Sequence, residues 1–204
     1  MVLQAPRAQS LSAAVTGFVV AGGRSARMGR DKALLPWGET TLLDHAIARL
    51  LEVTDDVRIL CGSGPRYADR GVPIVVDVPG PPSALVALLS ALDAAPSRTC
   101  LLLAVDLPNV TPALLQALAA ADADAVVPVS ASGPEPLCAV YHAACREPIR
   151  ESIARGDLKM SGFWADVRVL RIEGEELSRL GDPNTLFMNV NSPRDYERAI
   201  GVGH

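Results

Sequence analysis

Seven short apolar runs, separated by stretches of helical periodicity, constrain this chain more than any other feature. They are Thr16 to Val20, Val57 to Cys61, Ile74 to Val76, Thr99 to Val105, Ala125 to Val129, Leu137 to Tyr141 and Val167 to Ile172. Strand-like runs alternating with helices are the pattern of an α/β protein. Cys100 to Val105 is apolar without alternation, as a strand covered on both faces must be. The expected fold is therefore a three-layer, Rossmann-like one: a mostly parallel central sheet with helices on both faces.

Several helices have legible ends. Thr41 with Asp44 three residues on resembles a capping box, and Leu42, Leu43, Ala46, Ile47 and Leu50 follow at helical spacing. Thr111 before Pro112 predicts an N-cap with proline at the first helical position, opening a helix over Ala113 to Ala121; Ser192 and Pro193 repeat the device before Asp195 to Ile200. A further helix is expected from Ala143 to Arg155, closed by Gly156. The length of 204 residues, 49% apolar, suits one domain, assigned to residues 16–204 after a short disordered leader over residues 1–15.

Between the first strand and the first helix the chain reads AGGRSARMGRDK. Gly22 and Gly23 permit a tight turn and close approach of backbone N–H groups to an anion. Arg24, Arg27, Arg30 and Lys32 add four cations within nine residues of Gly23, enough to meet a triphosphate. Two familiar phosphate loops are excluded. A P-loop needs G-x-x-x-x-G-K-S/T, but five residues separate Gly23 from Gly29, Lys32 comes three later, and Ala33 stands where the magnesium-binding hydroxyl would be. The dinucleotide fingerprint G-x-G-x-x-G fails because Gly22 and Gly23 are adjacent, which removes the main support for an oxidoreductase. A solvated basic turn is the plain alternative; the strand–loop–helix context favours a phosphate site.

A net charge of −4 and only 4% aromatic residues argue against a nucleic-acid-binding surface, so the cations of the loop form a local patch in an acidic protein. Cys61, Cys100, Cys138 and Cys145 lack C-x-x-C spacing, and His45, His142 and His204 add no metal pattern, so buried free thiols in a reducing cytoplasm are expected. No run reaches the roughly 18 apolar residues of a membrane-spanning helix.

Ligands of open parallel sheets bind outside the carboxyl ends of the strands. Asp77 and Asp106 each follow a predicted strand directly and should share that rim. Asp106, in the rigid turn Asp106-Leu107-Pro108, suits Mg2+, which takes one or two carboxylates and completes its shell with water and phosphates. A plain Asx-turn at Asp106, or a turn start at Asp77 before Pro79-Gly80-Pro81-Pro82, is the structural alternative.

The segment VAGGRSARMGRDKALLPWG resembles the signature of the molybdopterin nucleotidyltransferases, approximately L-A-G-G-x-S-x-R-M-G-x-D-K-x-L-L-P. Val105-Asp106-Leu107-Pro108 is similar to their metal-binding D-x-P turn, Pro136 to Tyr141 to their P-L-x-A-x-Y strand, Gly156 to Met160 to G-x-x-K-M, and Phe187 to Pro193 to F-x-N-x-N-T-P. The resemblance spans about residues 16–200 and is strongest to the guanylyl-transferring branch. It implies a Mg2+-dependent nucleotidyltransferase that joins the GMP part of GTP to molybdenum-molybdopterin and releases pyrophosphate. It also implies hand-over of the labile product to molybdoenzyme apoproteins or other cofactor-assembly proteins, with no nucleic-acid or membrane partner. By the same resemblance Val20, Ala21, Gly22 and Gly23 would meet the nucleotide through their backbone. Cys61 and Asp77 would lie at guanosine, Lys32 and Arg27 would bind phosphates, and Asp106 would hold Mg2+. Asn189 and Asn191 would line the pterin side or the metal–phosphate centre, and Lys159 would meet the pterin phosphate unless it is simply solvated.

Two positions depart from the pattern. Ala84 replaces a glycine of the guanine-side turn, and Cys61 stands where many members carry asparagine. Cytidylyl transfer to the same pterin is thus the nearest alternative. A sugar-phosphate or isoprenoid-precursor nucleotidyltransferase is more distant, because it would lack the Asn189 and Asn191 motif. A non-catalytic nucleotide-binding chaperone is the alternative from another class.

Overall fold

The uninterrupted apolar run at residues 100–105 lies at the centre of the sheet, and the remaining elements are arranged around it. A computed structural model describes residues 15–22 and 31–202. The leader assignment over residues 1–14, and the placements of Gly23, Arg24, Arg27, Gly29 and Arg30, lie outside the described residues. Val15, assigned to the leader, instead begins the first strand: it pairs with Thr99 and is buried.

The chain runs β1 (Val15–Val20), β2 (Pro36–Trp37), β3 (Thr40–Thr41), α1 (Leu42–Leu51), β4 (Val57–Leu60), β5 (Ile74–Val75), α2 (Ala84–Ala94) and β6 (Thr99–Ala104). It continues through α3 (Pro112–Ala120), β7 (Ala125–Ser130), β8 (Gly133–Pro134), β9 (Cys138–His142), α4 (Arg146–Ala154), β10 (Val169–Ile172), α5 (Gly174–Leu180), α6 (Pro183–Leu186) and α7 (Pro193–Val202). Among the described residues one sheet has the order β10-β7-β9-β6-β1-β4-β5, with β8 paired to β7. β5, β4, β1 and β6 are parallel, β9 runs antiparallel between β6 and β7, and β10 is parallel to β7.

The side-chain period of two sends alternate strand residues to two separate cores. Val15 and Val19 of β1 face α1, α3 and α5, where Leu43, Leu50, Leu114, Leu118 and Leu177 are buried; Phe18 and Val20 face α2 and α4 with Leu85, Leu88, Leu92 and Ile149. This is the expected three-layer arrangement.

The helix ends follow the side chains that cap them. Thr41 Oγ1 accepts the Asp44 N–H at 3.2 Å and donates to the Asp44 carboxylate at 2.6 Å, while Thr111 Oγ1 accepts from the Leu114 N–H at 3.2 Å. The helix expected over residues 143–155 begins as a 3-10 turn at Ala143–Cys145 and becomes α4; Gly156, at φ +79°, follows it. All four cysteines are free and buried, and burial pushes the thiols of Cys100 and Cys145 up to about 12, which keeps them protonated packing groups. No helix among the described residues is long and apolar enough to cross a membrane.

Candidate active site

β1 lies between β4 on one side and β6 on the other, so the winding order reverses beside it and the carboxyl ends of these strands open a crevice. A cavity of about 1320 Å³ occupies the crevice, lined by Val20, Gly22, Cys61, Asp77, Ser83 and Leu137 among others. Typical small-ligand pockets run to about 300–1,000 Å³, so a nucleoside triphosphate fits with room beside it.

The rim is set by backbone bonds. The Ala21 N–H donates to Leu60 O at 2.9 Å, the Val105 N–H to Val20 O at 3.2 Å, and the Asp77 N–H to Gly62 O at 2.9 Å. Gly22 is needed here for close approach: a Cβ on it would stand 3.0 Å from the Gly62 nitrogen. Two strand ends can therefore converge with their backbones almost touching.

At the β6 side of the rim, Lys32 Nζ donates to Asp106 Oδ2 at 2.7 Å and to Asn191 Oδ1 at 2.9 Å. Asp31 caps the 3-10 turn Lys32–Leu34 and so directs where Lys32 leaves the backbone. Asp106 is held by its own turn. The Val190 N–H donates to Asp106 O at 3.0 Å, and His45 Nε2 donates to Pro108 O at 2.9 Å. Burial holds the His45 imidazole below its ordinary range, which favours the neutral ring that makes this bond. Glu135, on the β8–β9 connection, accepts from Ser130 Oγ at 2.7 Å; burial, with some help from the Asp106 charge, pushes its carboxyl up.

At the β5 side, Asp77 faces the cavity half-buried. Its Oδ1 is buried with no hydrogen-bond partner among the described residues, and burial pushes the carboxyl up. The segment after it is tied to α2: the Val78 N–H donates to Ser90 Oγ at 2.8 Å, and that hydroxyl donates to Val86 O at 2.8 Å. Ser83 caps α2, so the amino end of an eleven-residue helix borders the cavity.

The sequence-selected residues thus divide. Lys32 meets both Asp106 and Asn191, and none of the three is among the residues that line the cavity. Val20, Gly22, Cys61 and Asp77 line the crevice, Cys61 with its Sγ 3.5 Å from Val75 O, while Ala21 is buried between Val20 and Gly22 and is not among the lining residues. Asn189 is exposed next to Val190. Lys159 is exposed on the loop after α4 and is not among the residues that line the cavity. Arg27 and Gly23 are outside the described residues. Sequence reasoning passed over Asp31, Arg66, Tyr67, Ser90 and Glu135; Asp31, beside Lys32 in the loop motif, was the one with a visible signal.

A doubly wound sheet with a lysine–aspartate pair at the reversal of winding and a nucleotide-sized crevice beside it defines the class of nucleotidyltransferases. The model of the family described as MobA-like NTP transferase domain matches residues 17–169, and the chain belongs to that family. A protein of Pelotomaculum thermopropionicum named probable molybdenum cofactor guanylyltransferase is 36% identical over 90% of this chain and 91% of its own length. One of Chloroflexus aggregans with the same name is 33% identical over 89% and 91%. The crystal structure of molybdopterin-guanine dinucleotide biosynthesis protein A from Archaeoglobus fulgidus superposes with a TM-score of 0.78, covering 92% of this chain and 98% of that one; at 22% identity it establishes the shared fold.

Proposed function

We propose that this protein transfers the GMP part of GTP to molybdenum-bound molybdopterin, forming the guanine dinucleotide form of the cofactor and releasing pyrophosphate. The observation that carries the reading is the contrast at the carboxyl ends of the strands: a lysine held by a carboxylate and a carboxamide at the β6 side, next to the cavity-lining Asp31, and in the cavity at the β5 side a buried carboxylate oxygen with no donor among the described residues. The names of the relatives supply the substrates.

Guanine presents N–H donors on its base-pairing edge, and Asp77 would accept them, satisfying the oxygen that has no partner among the described residues. The 77–80 segment, tied to Ser90, would hold that carboxylate in place. Lys32 would then lie toward the phosphates, with Asp106 and Asn191 fixing its ammonium before substrate arrives. A phosphate oxygen of the pterin forms a bond to the α-phosphorus as the bond from that phosphorus to the bridging oxygen breaks, and the electron pair leaves with pyrophosphate. Lys32 stabilises charge growing on the leaving group, and no protein nucleophile is required. The Asp106 carboxylate and Asn191 carboxamide form an oxygen-only donor set, and no group of three or more His, Cys, Asp or Glu gathers among the described residues. That set fits Mg2+, which uses one or two carboxylates and fills its shell with phosphate and water. Asp106 would hold it, with Asn191 beside it, and a bound Mg2+ supplies charge neutralisation on the phosphates. The proposal extends to a cytoplasmic setting and to hand-over of the product to recipient apoproteins.

Calorimetry with GTP, CTP, ATP and UTP in Mg2+, repeated on Asp106→Ala, tests the reading, together with pyrophosphate release on adding molybdenum-molybdopterin. GTP-selective binding weakened by the substitution supports guanylyl transfer. A CTP preference overturns the named product, nucleotide binding without pyrophosphate release favours the non-catalytic chaperone, and absence of nucleotide binding overturns guanylyl transfer.

A further inference from the structure

We infer that Arg66 and Tyr67 form a latch that positions Lys32: they fasten Asp31 to the carboxyl ends of β1 and β4, so that the neighbouring ammonium is presented to the nucleotide phosphates from a fixed place. The inference rests on the reading that Lys32 meets those phosphates.

Three groups make four contacts with the Asp31 carboxylate. The Tyr67 hydroxyl lies 3.0 Å from Oδ1 and 2.8 Å from Oδ2, the Ala33 N–H donates to Oδ1 at 3.1 Å, and Arg66 Nη1 is 3.5 Å from Oδ2. The same guanidinium reaches the strand ends through Nη2, which donates to Ala21 O at 3.1 Å and to Cys61 O at 3.3 Å. It also stacks on the Tyr67 ring, 5.1 Å from the centroid. One dipeptide thus binds both the residue after the β1 strand and the residue before Lys32.

Tyr67 adopts φ +66°, and it is the one non-glycine residue with positive φ among those described. A side chain makes this conformation costly, so the surroundings must hold it, and such positions concentrate at ligand clamps and switches. Here the left-handed turn brings the ring and its neighbour's guanidinium to the same carboxylate. Burial, reinforced by Asp31, pushes the phenol well above its usual range, so the hydroxyl stays a proton donor throughout the working pH range. Arg66 also lines the cavity, so its removal would mix loss of a direct charge with loss of the latch. Tyr67 offers the cleaner test.

Tyr67→Phe keeps the ring and the stacked cation but removes the bond to Asp31. With the full chain and Mg2+, calorimetry of inorganic tripolyphosphate is expected to show about tenfold weaker binding. Binding of the nucleoside alone should stay at its wild-type value, the thermal midpoint should fall by only about 2–4 °C, and kcat should fall together with a rise in KM for the triphosphate. Wild-type tripolyphosphate affinity in Tyr67→Phe overturns the latch. So does parallel loss of nucleoside and tripolyphosphate binding with a larger fall in the thermal midpoint, since that is a role in fold support alone. Arg66→Lys, which keeps charge on the cavity wall but not the fork that reaches two carbonyls, is expected to weaken tripolyphosphate in the same way, and unchanged binding there also counts against the latch. Tripolyphosphate carries no base. A wild-type protein that binds it and prefers CTP loses the guanylyl reading and keeps the latch; one that does not bind it loses the phosphate role of Lys32 and the latch with it.

Discussion

Lys32 Nζ meets Asp106 Oδ2 at 2.7 Å across 74 residues of sequence, joining the end of the glycine-rich loop to the turn after the central strand. Both side chains are largely covered, 16% and 22% exposed, with the remainder open to solvent, so loss of either partner carries a modest stability cost. The pair's value lies in holding two opposite charges where phosphates arrive. Lys32→Ala and Asp106→Ala are each expected to lower kcat by about 10²–10³-fold, the scale of one lost preorganised electrostatic contact. Their thermal midpoints should move by only about 2–4 °C. Steady-state kinetics beside thermal melts separates the two effects, and a loss of folding as large as the loss of turnover would refute this assignment.

Gly22 illustrates a constraint of backbone approach. Its missing Cβ would lie 3.0 Å from the Gly62 nitrogen and 3.3 Å from the Gly62 Cα, atoms that cannot swing aside. Gly22→Ala should therefore push the β1 and β4 ends apart, at a cost of about 1–3 kcal/mol, and weaken nucleotide binding. Gly64 lines the same cavity but has open space where its Cβ would go. Gly64→Ala should stay within about 0.5 kcal/mol of wild type in urea unfolding. Similar costs for the two substitutions would contradict the close-approach argument.

What could be read from the sequence follows from how locally each feature is encoded. β6 was visible because its apolar run has no polar interruption, and Asp106 was visible because it follows that run. α1 and α3 were visible through Thr41 and Thr111, whose hydroxyls cap them as expected. α2 was missed because Leu85 to Leu92 is buried on every side, so no 3.6-residue period marks it. The reversed direction of β9 was equally hidden, since alternation is the same in parallel and antiparallel pairs. In the site, the loop motif pointed to Lys32, but its bond to Asn191, 159 residues away, has no local signature. Arg66 and Tyr67 escaped notice for the same reason: their partners at residues 21, 31 and 61 come together only through the sheet.

Ser90 ties the Asp77 segment to α2. Its hydroxyl is buried, accepting from the Val78 N–H and donating to Val86 O, each at 2.8 Å. Ser90→Ala leaves the Val78 N–H without this partner, and the expected loss of stability is about 1–2 kcal/mol. Nucleoside affinity should fall severalfold while tripolyphosphate affinity holds, because Asp77 is disturbed and Lys32 is not. Calorimetry with the two ligands distinguishes this from general loosening, which would weaken both.

Asp77 opposes stability to binding. Burial raises its folded-state carboxyl pKa above the ordinary value of 3.8, so the folded protein binds this proton more tightly than the unfolded chain. The stability linked to the proton is fully present below the unfolded value and is lost as pH rises through the folded one. At neutral pH the protein therefore carries a half-buried carboxylate with an oxygen that lacks a donor among the described residues. Asp77→Asn removes the charge and keeps the shape. It is expected to raise stability by about 1 kcal/mol at pH 7, discounted for partial exposure, which is about 2–4 °C in thermal midpoint. The gain should shrink as pH falls through the raised folded-state value and vanish below the ordinary value of 3.8. Nucleotide affinity should move the other way, about tenfold or more weaker, since the amide replaces an acceptor for base N–H groups with a mixed donor and acceptor. Thermal melts from pH 4 to 8 and calorimetry at pH 7 measure the two trends. A variant that is less stable than wild type at pH 7, or stabilised equally at pH 4, would place Asp77 in a satisfied structural role instead.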